Sequence, residues 1–377
     1  MKNILIAPNS FKQCADSVVI SQIIKEFLSV DVNQKFIVKP LTDGGDGFLS
    51  VYHFLIKLKP IIYSIYDDYG KQLNNYKVLY NENNGNIYIE SAELFGMKRL
   101  HQKQSSPLEL NSEILGKILL RIKEDADSGE LNVEQVNIGV GGTATIDFGI
   151  GACSQLGLKL FDDSKKIINP TPQNFDEVKD FEFSKVQLPF KIVFIVDVDT
   201  PLFGEPGAIE IYGKQKGASD QDLKIIKSGF KNILNLITKK FEFKIPSELN
   251  GAGGGVASGI SLFYDTEIIP AKEFIKKNIL NDIHPEEIDA LITGEGKFDF
   301  QSFEGKGIGV ILELFENFNI PKFIICGISE LPNDFKLANN IIVIELQKYF
   351  NNQDDSIKNY KLGLAKASEL IKSELKH

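Results

Sequence analysis

The chain has 377 residues, 43% of them hydrophobic, and carries a formal net charge of -9; that length exceeds the usual size of one hydrophobic core and predicts two domains. The acidic balance argues against nucleic acid as a partner, since phosphate backbones are bound by a concentrated basic face. Three scattered cysteines (Cys14, Cys153, Cys326) and four scattered histidines (His53, His101, His284, His377) give neither a zinc site nor a disulfide framework. The chain enters an apolar strand at once, without a signal-peptide pattern or an apolar run of membrane-spanning length, so the expectation is a cytoplasmic protein with no membrane partner. Its oligomeric state stays open.

In chain order, Asn3 to Pro8 reads as a short buried strand. Ile20, Ile23, Ile24, Phe27 and Leu28 then recur at helical spacing with one buried face. Lys35 to Leu41 is a second strand, closed by Thr42-Asp43-Gly44-Gly45-Asp46-Gly47, and the next helix turns Phe48, Val51 and Leu55 inward. From Lys59-Pro60 the pattern shifts to aromatic and Asn-rich pieces, Tyr76 to Tyr80 and Ile87 to Glu90, which marks the start of an insert. Within it, Ile114 to Ile122 predicts a helix, and Val136 to Val140 a strand feeding Gly141-Gly142-Thr143-Ala144-Thr145-Ile146-Asp147. Lys191 to Val196 predicts a strand ending at Asp197-Val198-Asp199, followed by a basic turn, Gly213 to Gly217; Asn250 to Gly255 opens a helix through Leu262.

From Ala290 the alternation returns, with strands at Ala290, Lys322 to Cys326 and Ile341 to Leu346 and helices at Val310 to Phe318 and Leu364 to Leu375. Interleaved strands and helices at both ends of the chain predict an α/β fold: a flavodoxin-like, doubly wound parallel sheet domain from residues 1–60 and 285–377, with a large second α/β domain, 61–284, inserted.

The densest chemistry lies at Ile292 to Lys306, ITGEGKFDFQSFEGK. An apolar run meets Gly294-Glu295-Gly296 and then Lys297, Asp299, Gln301, Ser302, Glu304 and Lys306, which reads as a buried strand ending in a site. Ligands of open α/β sheets bind beyond such strand ends, and lysines with carboxylates can hold an anionic substrate and a metal. The bland alternative is a solvated loop and a helix cap. Asp197 and Asp199, two apart on an extended chain, point to one side and could share a cation, or could open a turn before Pro201. The glycine run at Gly253-Gly254-Gly255 before a helix is a ready anion site.

Seven segments resemble, in order, motifs of the first (bacterial, type 1) glycerate kinase family: IAPNSFK at Ile6, PLTDGGDG at Pro40, GVGGTATIDFGIGA at Gly139, DVDTPLFGEPGA at Asp197, KQKGA at Lys214, NGAGGG at Asn250 and ITGEGKFDFQSFEGK at Ile292. The resemblance implies a two-domain enzyme that phosphorylates D-glycerate with ATP in an interdomain cleft, with 2-phosphoglycerate as product. Phosphoryl transfer itself asks for charge neutralisation, Mg2+ and a carboxylate oriented toward the acceptor hydroxyl. On that basis Asp299 is the candidate base, with Lys297 and Lys306 offsetting phosphate charge. Ser10, Lys12, Asp43, Gly44 and Gly45 hold the hydroxy acid, Gly141, Gly142, Gly253, Gly254 and Gly255 cradle nucleotide phosphates, and Asp197 and Asp199 hold Mg2+. Asn9, Gln13, Ile146 and Phe148 depart from the family pattern, which has aspartate, glycine, asparagine and glycine there. Those departures leave open a related hydroxy acid as acceptor, or a non-catalytic nucleotide or organic-acid binding protein. A dinucleotide oxidoreductase is disfavoured, since Pro8 to Cys14 lacks the G-x-G-x-x-G spacing.

Overall fold

The structure, a computed structural model, describes residues 2–29, 34–66, 72–97, 106–197, 200–205, 207–242, 246, 249–303, 307–332 and 334–375. It divides into two compact units: Met1–Lys57 with Ala271–His377, and Leu58–Pro270.

The first unit opens with β1 (Asn3–Ile6), α1 (Ser17–Leu28), β2 (Lys35–Val38) and α2 (Phe48–Ile56). The Asp16 side chain accepts the Val19 N–H at 2.9 Å and fixes the start of α1. Ile20, Ile24 and Leu28, one helical face, are buried.

The second unit follows with β3 (Lys59–Tyr66), β4 (Gln72–Asn81), β5 (Asn86–Glu90), α3 (Ser91–Phe95), α4 (Glu113–Asp127), β6 (Gln135–Val140) and α5 (Ile150–Gln155). Next come β7 (Leu158–Phe161), β8 (Ile167–Ile168), β9 (Asp180–Phe183), β10 (Lys191–Val196), α6 (Ala208–Gln215), α7 (Asp220–Phe241), α8 (Ala252–Ser261) and β11 (Thr266–Pro270). Its main sheet has the order β11-β10-β6-β5-β4-β3. The four strands from β11 to β5 run parallel, and β4 and β3 are antiparallel additions. β3 is an edge, where Pro60 interrupts no central ladder. β7, β8 and β9 form a small antiparallel sheet.

The chain then returns to the first unit with α9 (Ala271–Phe274), β12 (Ala290–Phe298), α10 (Gly307–Leu314), β13 (Lys322–Ser329), β14 (Ile341–Glu345), α11 (Gln353–Lys358) and α12 (Tyr360–Leu375). All five strands are parallel, in the order β14-β13-β12-β1-β2. Alternate strand residues face opposite ways, so Leu5 and Ile324 enter one buried cluster with Val51, Ile275, Ile279 and Ile311, while Ile4, Ile6, Phe323 and Ile325 enter another with Ile20, Ile24, Leu364 and Ile371. Both faces of the sheet are covered, as parallel strands require. Residues 271–284 thus feed this core through Ile275, Ile279, Leu280 and Ile283.

Two expectations are corrected. β12 does not end ahead of the glycines; it runs through Gly294 and Gly296 to Phe298, paired with β13 as far as Phe298↔Ser329. Glycine is needed there because a Cβ on Gly294 would lie 2.1 Å from the Ile325 carbonyl oxygen. α10 starts at Gly307, ahead of the expected Val310, and stops at Leu314 rather than Phe318. No helix of the described residues is long and apolar enough to cross a membrane.

Candidate functional site

In the first unit, the carboxyl ends of β2, β1 and β12 form one rim. Beyond β1 the chain continues the ladder: Ala7 N–H donates to the Ile292 carbonyl at 2.8 Å and Asn9 N–H to the Gly294 carbonyl at 2.7 Å. Thr293 Oγ1 donates to the Ala7 carbonyl at 2.7 Å, and Leu41 N–H to the Pro8 carbonyl at 2.9 Å. Buried Asn9 accepts the Ser10 N–H at 2.8 Å. Phe11 and Lys12 then pass over Gly296, where a Cβ would stand 3.1 Å from the Lys12 nitrogen. Lys12 itself is exposed. Past β2, Asp43 Oδ1 accepts the Gly45 N–H at 3.1 Å and Thr42 Oγ1 the Gly44 N–H at 3.3 Å, in a turn where Gly44 has φ 90°.

Asp299 caps the short 3-10 turn Phe300–Phe303: its Oδ1 accepts the Gln301 N–H at 2.9 Å, and its own N–H donates to Ser302 Oγ at 3.0 Å. Its other oxygen lies 3.3 Å from Lys297 Nζ, which also pairs with Glu330 at 2.7 Å. Glu330 first, then Asp299, hold the Lys297 ammonium above its ordinary range. This exposed pairing is weak in water, so an arriving phosphate can compete for the lysine. Ser10, Lys12, Asp43, Gly44, Gly45, Lys297 and Asp299 therefore share the strand-end rim of one sheet. Lys306 lies outside the described residues.

In the second unit, two glycine-rich loops pack on each other. After β6, Gly142 has φ 62° and its carbonyl accepts the Met97 N–H at 3.2 Å; the Gly141 carbonyl accepts Ser91 Oγ at 3.4 Å. Gly253, Gly254 and Gly255 all take left-handed backbone, φ 61°, 74° and 82°, so the first turn of α8 is kinked. A Cβ on Gly254 would lie 2.3 Å from the Thr145 carbonyl oxygen, and one on Gly253 2.4 Å from Val140 Cγ1. The glycines are thus required for close loop packing, and the N–H groups of Gly254 and Gly255 both donate to the Gly251 carbonyl at 3.2 Å. Asp197 stands in the bend after β10; Asp199 lies outside the described residues.

Three residues of this unit, Asp147, Ser112 and Lys216, make contacts that the sequence does not announce. Asp147 is fully buried, and its Oδ2 accepts the Ser112 N–H (2.8 Å), Ser112 Oγ (2.7 Å) and the Gly151 N–H (3.0 Å), while its Oδ1 accepts no hydrogen bond within 3.5 Å among the described residues. Burial pushes its carboxyl above the usual range, against the lowering effect of those donors. Ser112 Oγ in turn accepts the Ala152 N–H at 3.0 Å. Lys216, at the end of α6, turns its ammonium onto the loop after β6, donating to Thr143 Oγ1 at 3.1 Å and the Thr145 carbonyl at 2.9 Å. Desolvation lowers its pKa to about 8, opposed by the Asp197 and Asp147 carboxylates. Lys216 and Asp147 fall in motifs visible in the sequence; Ser112 carries no such signal.

The backbones at Gln13 and Phe148 are left-handed, with φ 70° and 54°. These are two of the positions where the family resemblance leads one to expect glycine, and both take the left-handed backbone that glycine tolerates best. Phe148 is held there by full burial, its ring 5.4 Å from that of Phe230.

A family model described as the glycerate kinase family matches residues 4–376. Among curated relatives, a glycerate kinase of Neisseria meningitidis serogroup B is 26% identical, over 96% of this chain and 95% of its own length. One of Halalkalibacterium halodurans is 27% identical over 87% and 86%, and a glycerate 2-kinase of Escherichia coli K12 is 27% identical over 80% and 79%. A crystal structure from Salmonella typhimurium LT2, itself only provisionally assigned as a glycerate kinase 2, superposes over the whole of both chains with a TM-score of 0.73 at 22% identity and so carries the fold. With a family model spanning all but the extreme ends, the chain belongs to the glycerate kinase family.

Proposed function

We propose that this chain transfers the γ-phosphoryl group of ATP to the 2-hydroxyl of D-glycerate, giving 2-phosphoglycerate and ADP. Membership of the family makes it a kinase acting on glycerate. The single observation that supports the assignment of roles is the shared rim of β12, β1 and β2, which carries Lys297 and Asp299, the Ser10–Lys12 segment close to Gly296, and the Asp43–Gly45 turn. The 2-1-3-4-5 strand order of that unit, counted within itself, supports reading it as flavodoxin-like, with ligand at the switch point between its first and third strands.

In this reading Lys12 pairs with the glycerate carboxylate, and Ser10 and the Asp43-Gly44-Gly45 turn orient the acceptor. Asp299 accepts the hydroxyl proton as that oxygen bonds to the γ-phosphorus and the bond to the ADP oxygen breaks. Lys297 and Lys306 offset the charge of the phosphoryl oxygens. The loops at Gly141-Gly142 and Gly253-Gly254-Gly255 form the nucleotide side. Among the described residues no three His, Cys, Asp or Glu side chains converge. One or two carboxylates of the Asp197 and Asp199 kind suit a magnesium ion completed by phosphate and water, which would neutralise phosphate charge when bound. Phosphorus NMR of the product tests the regiochemistry: a 2-phosphoglycerate signal is expected, and 3-phosphoglycerate would overturn the acceptor assignment.

A further inference from the structure

Lys216 has no part in the roles given above, yet it is tied to the loop that Gly141 and Gly142 begin. It occupies the C-cap of α6, with its N–H bonded to the Gly213 and Tyr212 carbonyls and Gly217 turning left-handed after it at φ 88°. This fixed stem aims the ammonium at Thr143 and Thr145. An ammonium has three N–H donors; two are used, and the third has no partner among the described residues. Thr145 is 1% exposed, and its Oγ1 is buried without a hydrogen-bond partner among the described residues. A cation with a spare donor and a buried unpaired hydroxyl are thus bound through one residue, Thr145, whose carbonyl also lies against Gly254. Asp147 and Asp197 lie within electrostatic reach of the ammonium.

Resting on the phosphoryl-transfer reading, we infer that Lys216 and Thr145 form a phosphate subsite on the loop after β6, taking an oxygen of the nucleotide's polyphosphate. The two threonine contacts position the ammonium, and the ligand completes both its third donor and the Thr145 hydroxyl.

Inorganic tripolyphosphate and MgATP are titrated calorimetrically into the full chain, wild type and the variants Lys216→Met and Thr145→Val, with melting temperatures and glycerate turnover recorded on the same samples. Lys216→Met is expected to weaken both ligands about tenfold or more, the scale of a lost charge-assisted hydrogen bond. Thr145→Val should weaken them about threefold or more while leaving the melting temperature unchanged or raised, since an unpaired buried hydroxyl is replaced by a methyl of the same shape. A merely structural Thr145 would leave binding untouched, so this variant decides the matter even if Lys216→Met does not fold. Tripolyphosphate binding that both substitutions weaken, in a wild type that does not turn over glycerate, upholds the subsite and overturns the kinase reading. Unchanged affinity in Thr145→Val, or no binding of either ligand by the wild type, overturns the subsite.

Discussion

Asp299 caps a turn in the fold and is the proposed base of the reaction. Its Oδ1 accepts the Gln301 N–H at 2.9 Å while Oδ2 faces Lys297, so asparagine keeps the capping oxygen and loses the base. Asp299→Asn is expected to lower kcat by about 10²-fold or more, the scale of a lost general base, with KM for glycerate and the melting temperature little changed; near-normal kcat would leave Asp299 a cap alone. Asp147 gives a pH test of burial. Its folded carboxyl titrates above the unfolded value, so the folded state binds the extra proton between those two values and stability falls as pH rises through that window. Urea denaturation from acid to neutral pH should show wild type losing stability relative to Asp147→Asn, and parallel curves would contradict it. The sequence displayed Lys297, Asp299 and the two glycine loops plainly, because their residue types are rare in apolar surroundings. It did not display Ser112 or Glu330, whose roles come from contacts made only on folding.

Elements were legible where the apolar period was clean: β10 occupies Lys191–Val196 as expected, and β5 and β6 extend their expected cores by one residue. α7, the longest helix described, is not among the expected elements although Ile226, Phe230, Ile233 and Ile237 mark its buried face; Lys227, Lys231, Asn232 and Asn235 break up the apolar pattern between them. β12 outruns its expected span: glycine normally punctuates a strand, whereas here Gly294 admits the neighbouring strand. Gln13 is exposed with φ 70°; relief of about 1–2 kcal/mol of left-handed strain, less the greater freedom glycine loses on folding, should leave Gln13→Gly about 0.5–1 kcal/mol more stable in denaturant titration. Gly254→Ala should be destabilised by about 2 kcal/mol or more, since the new Cβ combines left-handed strain with a collision at the Thr145 carbonyl. Equal midpoints for alanine and wild type would mean that the two loops do not pack as described.

At the scale of the whole molecule, the order of seven motifs carried more than any one of them: a glycine-rich turn after a strand is common, but its recurrence in a fixed sequence over nearly the whole chain is not. The return of the chain to its first sheet after residue 270 is a long-range pairing, β1 with β12, that local periodicity could only suggest through the rhythm of strands and helices at both ends. The candidate acceptor residues lie in one unit and the candidate nucleotide loops in the other. These parts are expected to make a working kinase rather than a binding protein that keeps the glycine loops. ADP release is measured with MgATP over a panel of small hydroxy acids, with and without a chelator of divalent metal. Turnover with D-glycerate that the chelator stops is the expected result; thermal stabilisation by ATP and glycerate with no ADP released from any acid would contradict it.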